Sequence, residues 1–176
     1  MKVTETVLSG VKIIEPDVFG DQRGFFIESF NARRYQELVG IEQTFVQDNH
    51  SRSSYAVLRG LHYQTQFPQG KLVSVLRGCV YDVAVDINPD SATYGRYVGV
   101  ELSDENHKQL WIPPGYAHGF CVLSESADFF YKCTDFYHPE DEAGVAWDCP
   151  YINIDWPISE PKLSEKDQQY QGLCKP

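Results

Sequence analysis

Short apolar runs, bounded by glycine, proline and polar residues, recur along most of the chain. Runs of this length that are rich in Val, Ile, Phe and Tyr are typical of β-strands. They cover residues 11–14, 24–30, 44–47, 71–76, 79–87, 97–102, 109–112, 119–123 and 129–134. In the run 79–87, Val83 and Val85 alternate with Asp82 and Asp86. This period of two predicts a strand with one face buried and the other in solvent.

Helical patterns are few in this sequence. Asn31 is a suitable N-cap for a helix over residues 32–39, and Gly40 follows where a left-handed residue commonly ends a helix. Ser164 can cap a short turn over residues 165–169 in the same way. The sequence therefore predicts one short helix, one capped turn and many strands.

Many short strands with few helices predict an all-β fold, for which a jelly roll is the natural closed arrangement. The length of 176 residues fits one domain, which we predict to span residues 1–176. The segment after Cys149 is rich in proline. We expect it to wrap around the barrel as a C-terminal tail.

The composition of the chain limits the classes of binding partner and the cellular compartments that we expect for it. Lys+Arg number 15 and Asp+Glu number 25, so the formal net charge is −10. Nucleic acids and anionic membranes recruit basic surfaces, so we expect neither as a partner. Residues 1–10 lack the apolar stretch of a secretory signal. The five cysteines are odd in number and form no CxxC pair, which favours a reduced, cytoplasmic protein.

The histidines do not follow a metal-binding pattern. Metal-binding jelly rolls usually carry two histidines at H-x-H spacing, because adjacent inward positions must reach one cavity. No histidine pair has that spacing here, and no Walker or Rossmann glycine loop occurs. We therefore expect no metal and no cofactor, and an isolated histidine is usually structural. The histidines are His50, His62, His107, His118 and His138.

One stretch places a histidine beside groups that can act in catalysis. Arg59 and His62 are three positions apart and would face opposite sides of a regular strand. Gly60 permits a bulge that returns both side chains to one face. Lys71 opens the next apolar run, and we expect it beside His62 on a neighbouring strand. By spacing alone, a hairpin with ordinary surface charges remains the simpler interpretation.

Other stretches also allow two interpretations. Residues 112–120 surround His118 with two prolines and two glycines, which either position the imidazole or form a tight turn. Tyr131 lies in an apolar run, where a tyrosine usually serves packing. Residues 23–28 and 47–49 combine an arginine, aromatic residues and amides, which suit a nucleotide but also a strand with a polar loop.

A series of motifs in a fixed order resolves these alternatives. FGDxRGFFxESFN, FVQDNHSRS, LRGLHYQ, QGKLVxVLRGxVxDVAVDI, WIPPGxAHGF, FFYKCTDFYxPxxE and LSEKD follow one another from Phe19 to Asp167. Each motif alone is weakly specific, whereas the ordered series covers almost the whole chain. Together they resemble the dTDP-4-dehydrorhamnose 3,5-epimerase family, whose members are cupin-type jelly rolls (double-stranded β-helices) without a metal.

The resemblance implies the substrate dTDP-4-dehydro-6-deoxy-D-glucose and the product dTDP-4-dehydro-β-L-rhamnose, within dTDP-L-rhamnose biosynthesis. The ketone at carbon 4 acidifies the protons on carbons 3 and 5, so one base and one acid on opposite faces of the sugar can invert both centres without a redox cofactor. An epimerase of one carbon of a related dTDP-4-ketosugar is the alternative. A metal-dependent cupin enzyme and a non-catalytic binding domain fit the residues less well.

The resemblance also implies roles for individual residues. It identifies His62 as the base and Asp167 as the carboxylate that orients this imidazole. Tyr131 becomes the acid on the opposite face, and Lys71 the cation beside the oxygen that gains charge in the enolate. The implied substrate-binding residues are Arg23, Phe26, Glu28, Gln47, Asn49, Arg59, Lys71, His118, Tyr137, Glu142 and Lys166.

The resemblance further implies a homodimer with exchanged N-terminal strands, which would cover an exposed sheet edge. In such a dimer, Arg23, Phe26 and Glu28 serve the site of the neighbouring subunit. Phe19 and Phe26 are expected to pack on thymine. Ser74 and Asn88 differ from residues that are frequent in the family, and neither has an assigned role.

Overall fold

In the computed structural model, which describes residues 1–174, the chain forms thirteen β-strands. Residues 175 and 176 of the predicted domain lie outside the described residues. The strands are β1 (Lys2–Glu5), β2 (Lys12–Glu15), β3 (Val18–Asp21), β4 (Gly24–Ile27), β5 (Gln47–Ser54), β6 (Leu58–Gln64), β7 (Lys71–Arg77), β8 (Cys79–Asp86), β9 (Tyr97–Ser103), β10 (Gln109–Ile112), β11 (Tyr116–Val122), β12 (Ser126–Cys133) and β13 (Glu142–Gly144). Helix α1 spans Ala32–Val39, and 3-10 turns span Pro139–Asp141 and Asp167–Gln169.

The strands form two main antiparallel sheets. The six-stranded sheet has the order β1-β2-β10-β7-β12-β5, and the five-stranded sheet has the order β13-β6-β11-β8-β9. Strands β3 and β4 form a separate hairpin. Two facing sheets with this mixed strand order are a jelly roll, so the predicted all-β, cupin-type fold is confirmed.

Three apolar clusters hold the layers together. The largest includes Val73 of the six-stranded sheet and Ala84 of the five-stranded sheet, so it lies between the sheets. A second cluster lies under the C-terminal segment and includes Val85 and Ile152. In the third, α1 packs Tyr35 against Trp111 on the outer face of the six-stranded sheet. The apolar residues between the sheets are therefore one of three separate clusters, and covering segments bury the outer faces of both sheets.

The predicted caps at Asn31, Gly40 and Ser164 are all confirmed. The Asn31 side chain accepts a hydrogen bond of 3.2 Å from the Arg34 N–H, and Gly40 has the left-handed conformation, with φ 80° and ψ 25°. The Ser164 hydroxyl accepts a hydrogen bond of 3.1 Å from the Asp167 N–H. None of the helices within residues 1–174 has the length and hydropathy that crossing a membrane requires.

Four strand predictions were wrong in their limits. The runs 119–123 and 129–134 were expected to be strands, but β11 and β12 begin three residues earlier, at Tyr116 and Ser126. The run 44–47 was expected to be a strand, but β5 begins only at Gln47 and continues to Ser54. The inward positions of β5 are polar, as at Asn49 and Ser51, so hydrophobic periodicity could not reveal this strand. The run 24–30 ends as a strand at Ile27.

The alternation in β8 correctly predicted which residues share a face of the strand. The prediction that one of these faces lies in solvent was wrong. This strand lies between β11 and β9, with the main core on one side and the C-terminal segment on the other. Both its faces are therefore buried, and Asp82 and Asp86 are 0% and 2% exposed. The Ser91 and Thr93 hydroxyls each donate a hydrogen bond of 2.5 Å to Asp86. Oδ2 of Asp82 lies 2.9 Å from Nε2 of His118 on the neighbouring strand β11.

Candidate active site

The central feature of the site is a cavity of about 180 Å³ between the two sheets. Strands β6 and β11 line it from the five-stranded sheet, and β5, β7 and β12 from the six-stranded sheet. This volume is several times the ~30 Å³ share of one water molecule, so it can hold a ligand of ring size. The lining residues are Ser51, Arg59, His62, Lys71, His118, Phe120, Phe129 and Tyr131.

A bulge in β6 places Arg59 and His62 in this cavity together. His62 pairs with His118 of β11 and Arg59 pairs with Phe120, so two residues of β6, Gly60 and Leu61, oppose the single residue Gly119 of β11. Gly60 has φ 130°, and a Cβ atom there would lie 2.5 Å from the Gly119 Cα atom. The predicted bulge at Gly60 is confirmed, and its close backbone approach requires glycine.

His62 is held by a buried carboxylate. Its Nε2 atom lies 2.6 Å from Oδ1 of Asp167, whose side chain is 4% exposed. Burial acts to raise the pKa of Asp167, but the hydrogen bond and the charge of His62 lower it below the usual value. The ionised carboxylate therefore accepts a hydrogen bond from Nε2–H. This tautomer leaves the lone pair of Nδ1 to accept a proton.

A second carboxylate faces the other side of the same imidazole. Oε1 of Glu142 lies 3.8 Å from Nδ1 of His62. The Lys166 ammonium donates a hydrogen bond of 2.6 Å to Glu142, and the Tyr137 hydroxyl donates another. Burial acts to raise the pKa of Glu142, and these two hydrogen bonds lower it. Four predicted site residues are therefore joined in one polar network.

A second cavity, of about 300 Å³, adjoins the first at Arg59 and His62. Lys166 and Asp167 line it together with Ser164. The C-terminal 3-10 turn therefore closes one side of the space around the imidazole. The two cavities together give a ligand room on both sides of His62.

Lys71 and Tyr131 lie on the six-stranded sheet, opposite His62. The expectation that Lys71 lies beside His62 on a neighbouring strand was wrong, because β7 and β6 belong to different sheets and face each other across the cavity. Burial lowers the pKa of the Lys71 ammonium. Burial also raises the pKa of Tyr131 to about 12, so its hydroxyl keeps its proton at neutral pH.

His118 has its own carboxylate partner in the cavity wall. Its Nε2 atom lies 2.9 Å from Oδ2 of Asp82, and both side chains are buried. Burial lowers the pKa of His118, although the charge of Asp82 opposes this effect. The sequence reasoning missed Asp82 as part of the site. The available signal was an aspartate among valine and alanine residues of a strand, a position that needs a buried partner.

Two amide side chains of β5, Gln47 and Asn49, share a strand face with Ser51, which lines the cavity. The Gln47 amide donates a hydrogen bond of 3.0 Å to Asn49, and its oxygen accepts one of 3.0 Å from the Tyr137 N–H. The Asn49 amide donates a hydrogen bond of 3.5 Å to the sulfur of Cys133. Gln47 and Asn49 are thus fixed beside Tyr137.

Three predicted site residues do not reach the cavity of their own chain. The Arg23 side chain is 86% exposed and forms an ion pair with Asp21, and Phe26 is 67% exposed in the β3–β4 hairpin. Glu28 accepts a hydrogen bond of 2.9 Å from Arg34. Within residues 1–174, no group of three or more His, Cys, Asp or Glu side chains is arranged to hold a metal ion.

Comparison with known proteins gives consistent results. The family model described as dTDP-4-dehydrorhamnose 3,5-epimerase matches residues 5–175. The dTDP-4-dehydrorhamnose 3,5-epimerase of Shigella flexneri is 56% identical over 168 residues, which are 95% of this chain and 93% of that protein. The corresponding protein of Pseudomonas aeruginosa is 55% identical over 175 residues, which are 99% of this chain and 97% of that protein.

A solved structure from Legionella pneumophila Philadelphia 1 is similar throughout. It is a dTDP-6-deoxy-D-glucose-3,5-epimerase in complex with dTDP-4-keto-L-rhamnose. Its TM-score is 0.95 at 57% identity, and the match covers 97% of this chain and 92% of that chain. Since the family model and these relatives match nearly the full length, this chain belongs to the dTDP-4-dehydrorhamnose 3,5-epimerase family.

Proposed function

We propose that the protein inverts carbons 3 and 5 of dTDP-4-dehydro-6-deoxy-D-glucose and so forms dTDP-4-dehydro-β-L-rhamnose, in dTDP-L-rhamnose biosynthesis. One observation carries the mechanism. His62, held by Asp167, and the protonated Tyr131 line the same cavity from opposite sheets. A sugar ring between them would have a base on one face and an acid on the other, which is the arrangement that epimerisation needs.

The proposed reaction proceeds through an enolate. His62 takes the proton from a carbon next to the ketone, and the electron pair of the C–H bond moves into a new C=C bond while the carbonyl oxygen becomes negative. Tyr131 then donates its proton to the opposite face of that carbon, and the electrons return from oxygen. A carbon next to a ketone is a weaker acid than a phenol, so this donation is favourable even with the raised pKa of Tyr131. His62 then releases its proton to solvent and the Tyr131 phenolate takes one from solvent, which restores the starting states. After the sugar ring reorients, a second round inverts the other carbon.

Lys71 supplies the positive charge that the enolate oxygen requires. Its ammonium lines the cavity on the same sheet as Tyr131. A fixed cation in a cavity shielded from water stabilises developing negative charge more strongly than it would in bulk solvent. We assign Arg59 and His118 to the sugar and phosphate groups, since both line the same cavity.

The nucleotide portion is assigned to the rim. Gln47 and Asn49 form one side of it, and Tyr137, Glu142 and Lys166 form the other through their hydrogen-bond network. An aromatic ring beside amide groups can stack on a base while the amides bind its polar edge. We therefore propose that the base and sugar of the nucleotide contact this rim.

We further propose that the active form is a homodimer, in which Arg23, Phe26 and Glu28 complete the site of the other subunit. The hairpin that carries them exposes large apolar side chains, with Phe19, Phe25 and Phe26 at 64%, 61% and 67% exposure. Exposed aromatic patches of this kind commonly mark interfaces. The fact that these residues do not line the cavity of their own chain supports a contribution in trans.

The dimer proposal is tested with two tagged variants, Arg23→Ala and His62→Ala, that are co-expressed and purified through both tags. In a heterodimer that shares residues across the interface, one site keeps both Arg23 and His62, so activity at low substrate concentration returns. If Arg23 served its own chain, both sites would carry a lesion. Failure of the heterodimer to regain activity would then refute the exchange.

We propose that residues 1–176 form one domain that carries this activity. We also propose that the protein acts in the cytoplasm. The five cysteines support that location, because all of them are free thiols. Disulfides are uncommon in the reducing cytoplasm, and residues 1–174, which include all five cysteines, contain none.

The reaction is tested by incubating the protein with dTDP-4-dehydro-6-deoxyglucose in heavy water and following the sugar by NMR. Deuterium at both carbon 3 and carbon 5, together with the inverted couplings, is the expected result. Label at only one carbon would favour an epimerase of a single centre, the alternative reading of these residues. Label at neither carbon, or full turnover by His62→Ala, would refute the assignment.

A further inference from the structure

Tyr170 contacts the imidazole of His62 from the C-terminal segment. Its ring centroid lies 5.7 Å from that of His62, with an interplanar angle of 68°, which is an edge contact between rings. Tyr170 follows the 3-10 turn Asp167–Gln169 and is three residues after Asp167. Residues three apart in such a turn share one side, so Asp167 and Tyr170 approach the imidazole together.

Strand β13 leaves the space that this ring fills. Gly144 of β13 pairs with His62 of β6 across the sheet. A Cβ atom at Gly144 would overlap the Tyr170 ring. The absence of a side chain at the position opposite His62 therefore admits the aromatic ring of Tyr170 instead.

The hydroxyl of Tyr170 does not explain its position. Among residues 1–174, it is the buried side-chain polar atom that has no hydrogen bond of normal geometry, although the nearby Lys166 ammonium acts to lower its pKa. Burying a hydroxyl without a partner opposes folding. Burial also raises the pKa of Tyr170, so the group stays neutral. The contribution of Tyr170 therefore comes from its ring, and the ring lies against His62.

We propose that Tyr170 is a positioning residue for His62. Its ring covers the imidazole, keeps water from the 2.6 Å hydrogen bond between Nε2 and Asp167, and fixes the orientation of Nδ1. A base held in one orientation reaches the substrate proton without further ordering. The kinetic part of this inference depends on the proposed epimerase function, whereas the protection of the hydrogen bond does not.

The test compares Tyr170→Phe, Tyr170→Ala and Tyr170→Leu, with Tyr151→Ala as a matched control. Tyr151 lies on the same C-terminal segment and packs on Tyr94, at a ring distance of 5.8 Å. The first measurement is a proton NMR spectrum of the ligand-free protein with 15N-labelled histidine. A low-field signal from Nε2–H of His62 is visible only when exchange with water is slow. The second measurement is kcat and KM for the dTDP-ketosugar.

The wild type, Tyr170→Phe and Tyr151→Ala are expected to show the low-field signal and to have similar kcat values. Tyr170→Ala and Tyr170→Leu are expected to lose the signal and to lower kcat by about tenfold with little change in KM. Melting temperatures identify variants that fail to fold, and Tyr170→Leu keeps much of the buried volume if Tyr170→Ala unfolds.

Three outcomes would overturn the proposal. A wild-type spectrum without the signal would show that the hydrogen bond is not protected. Retention of both the signal and kcat in the folded Tyr170→Ala or Tyr170→Leu variant would show that the ring does not position His62. An equal loss in Tyr170→Phe would assign the effect to the hydroxyl. Absence of turnover by the wild type would instead refute the proposed function and leave the spectroscopic result standing.

Discussion

Replacement of Asp167 by asparagine tests the proposed base most directly. The change keeps the size of the side chain but removes the charge that faces Nε2 of His62 at 2.6 Å. Hydrogen bonds to charged groups contribute ~1.5–3 kcal/mol, and ~1.4 kcal/mol corresponds to a factor of ten in rate. If the asparagine oxygen still accepts the Nε2 proton, we expect kcat to fall by about 10- to 150-fold.

A larger fall is expected if the new amide turns its NH₂ group toward the imidazole. It would then donate to Nε2 and leave the proton of the neutral ring on Nδ1, where it blocks the base. A wrong tautomer of this kind lowers kcat by about 10⁴-fold in a serine protease triad. Asp167→Ala separates the two effects, because alanine removes the charge without imposing a tautomer.

The assay is the initial rate of deuterium incorporation at carbons 3 and 5 over a range of substrate concentrations, with melting temperatures measured in parallel. Asp155→Asn is the matched control, because Asp155 is exposed on the same C-terminal segment. The reasoning would be refuted if Asp167→Asn kept kcat within about threefold of the wild type, below the smallest loss expected for a charged hydrogen bond. A change in KM alone would also contradict it.

Three further predictions concern other parts of the molecule. Lys71→Ala should lower kcat by about 10²-fold with a small change in KM, because the enolate gains its charge after binding; steady-state kinetics check this, and a loss confined to KM would contradict it. Arg23→Ala should raise KM by about fivefold at low salt and less at high salt, since the exposed guanidinium acts through screened charge; a fall in kcat at unchanged KM would argue against this role. The hydrogen bonds from Arg52 lower the pKa of Asp128 to about 2, so this pair stabilises the fold above about pH 4 and the contribution is lost as the pH falls toward 2. Asp128→Asn should therefore lower the melting temperature at neutral pH and make the melting temperature less sensitive to acid between about pH 4 and 2. If the acid sensitivity of the variant were unchanged, the Arg52–Asp128 pair would not be a source of the pH-dependent stability.

Local structure was largely predictable because its causes are local. The cap at Asn31 and the left-handed Gly40 act on backbone groups within a few residues, so the sequence limits of α1 match the structure. The bulge at Gly60 was predictable for the same reason, since only glycine relieves the backbone contact there. The number and length of the apolar runs similarly favoured an all-β jelly roll.

Hydrophobic periodicity failed where function changes the pattern. Strand β5 carries polar residues inward because they line the cavity and its rim, so the apolar signal that marks other strands is missing. In β8 the alternation was correct, but Asp82 and Asp86 are buried because partners elsewhere satisfy them. A sequence pattern shows which residues share a face, not what later covers that face.

The sequence by itself therefore determined the apolar strands, helix α1 with its caps, the bulge at Gly60 and the family, since each depends on neighbouring residues or on an ordered set of motifs. The tertiary structure decided the chemistry of the site. His62 and Asp167 are 105 residues apart, and spacing along the chain holds no information about their 2.6 Å contact. His62 and Tyr131 face one cavity only because two sheets pack against each other. A cavity between sheets is built from long-range contacts, and these are fixed by packing of the whole core rather than by any local segment.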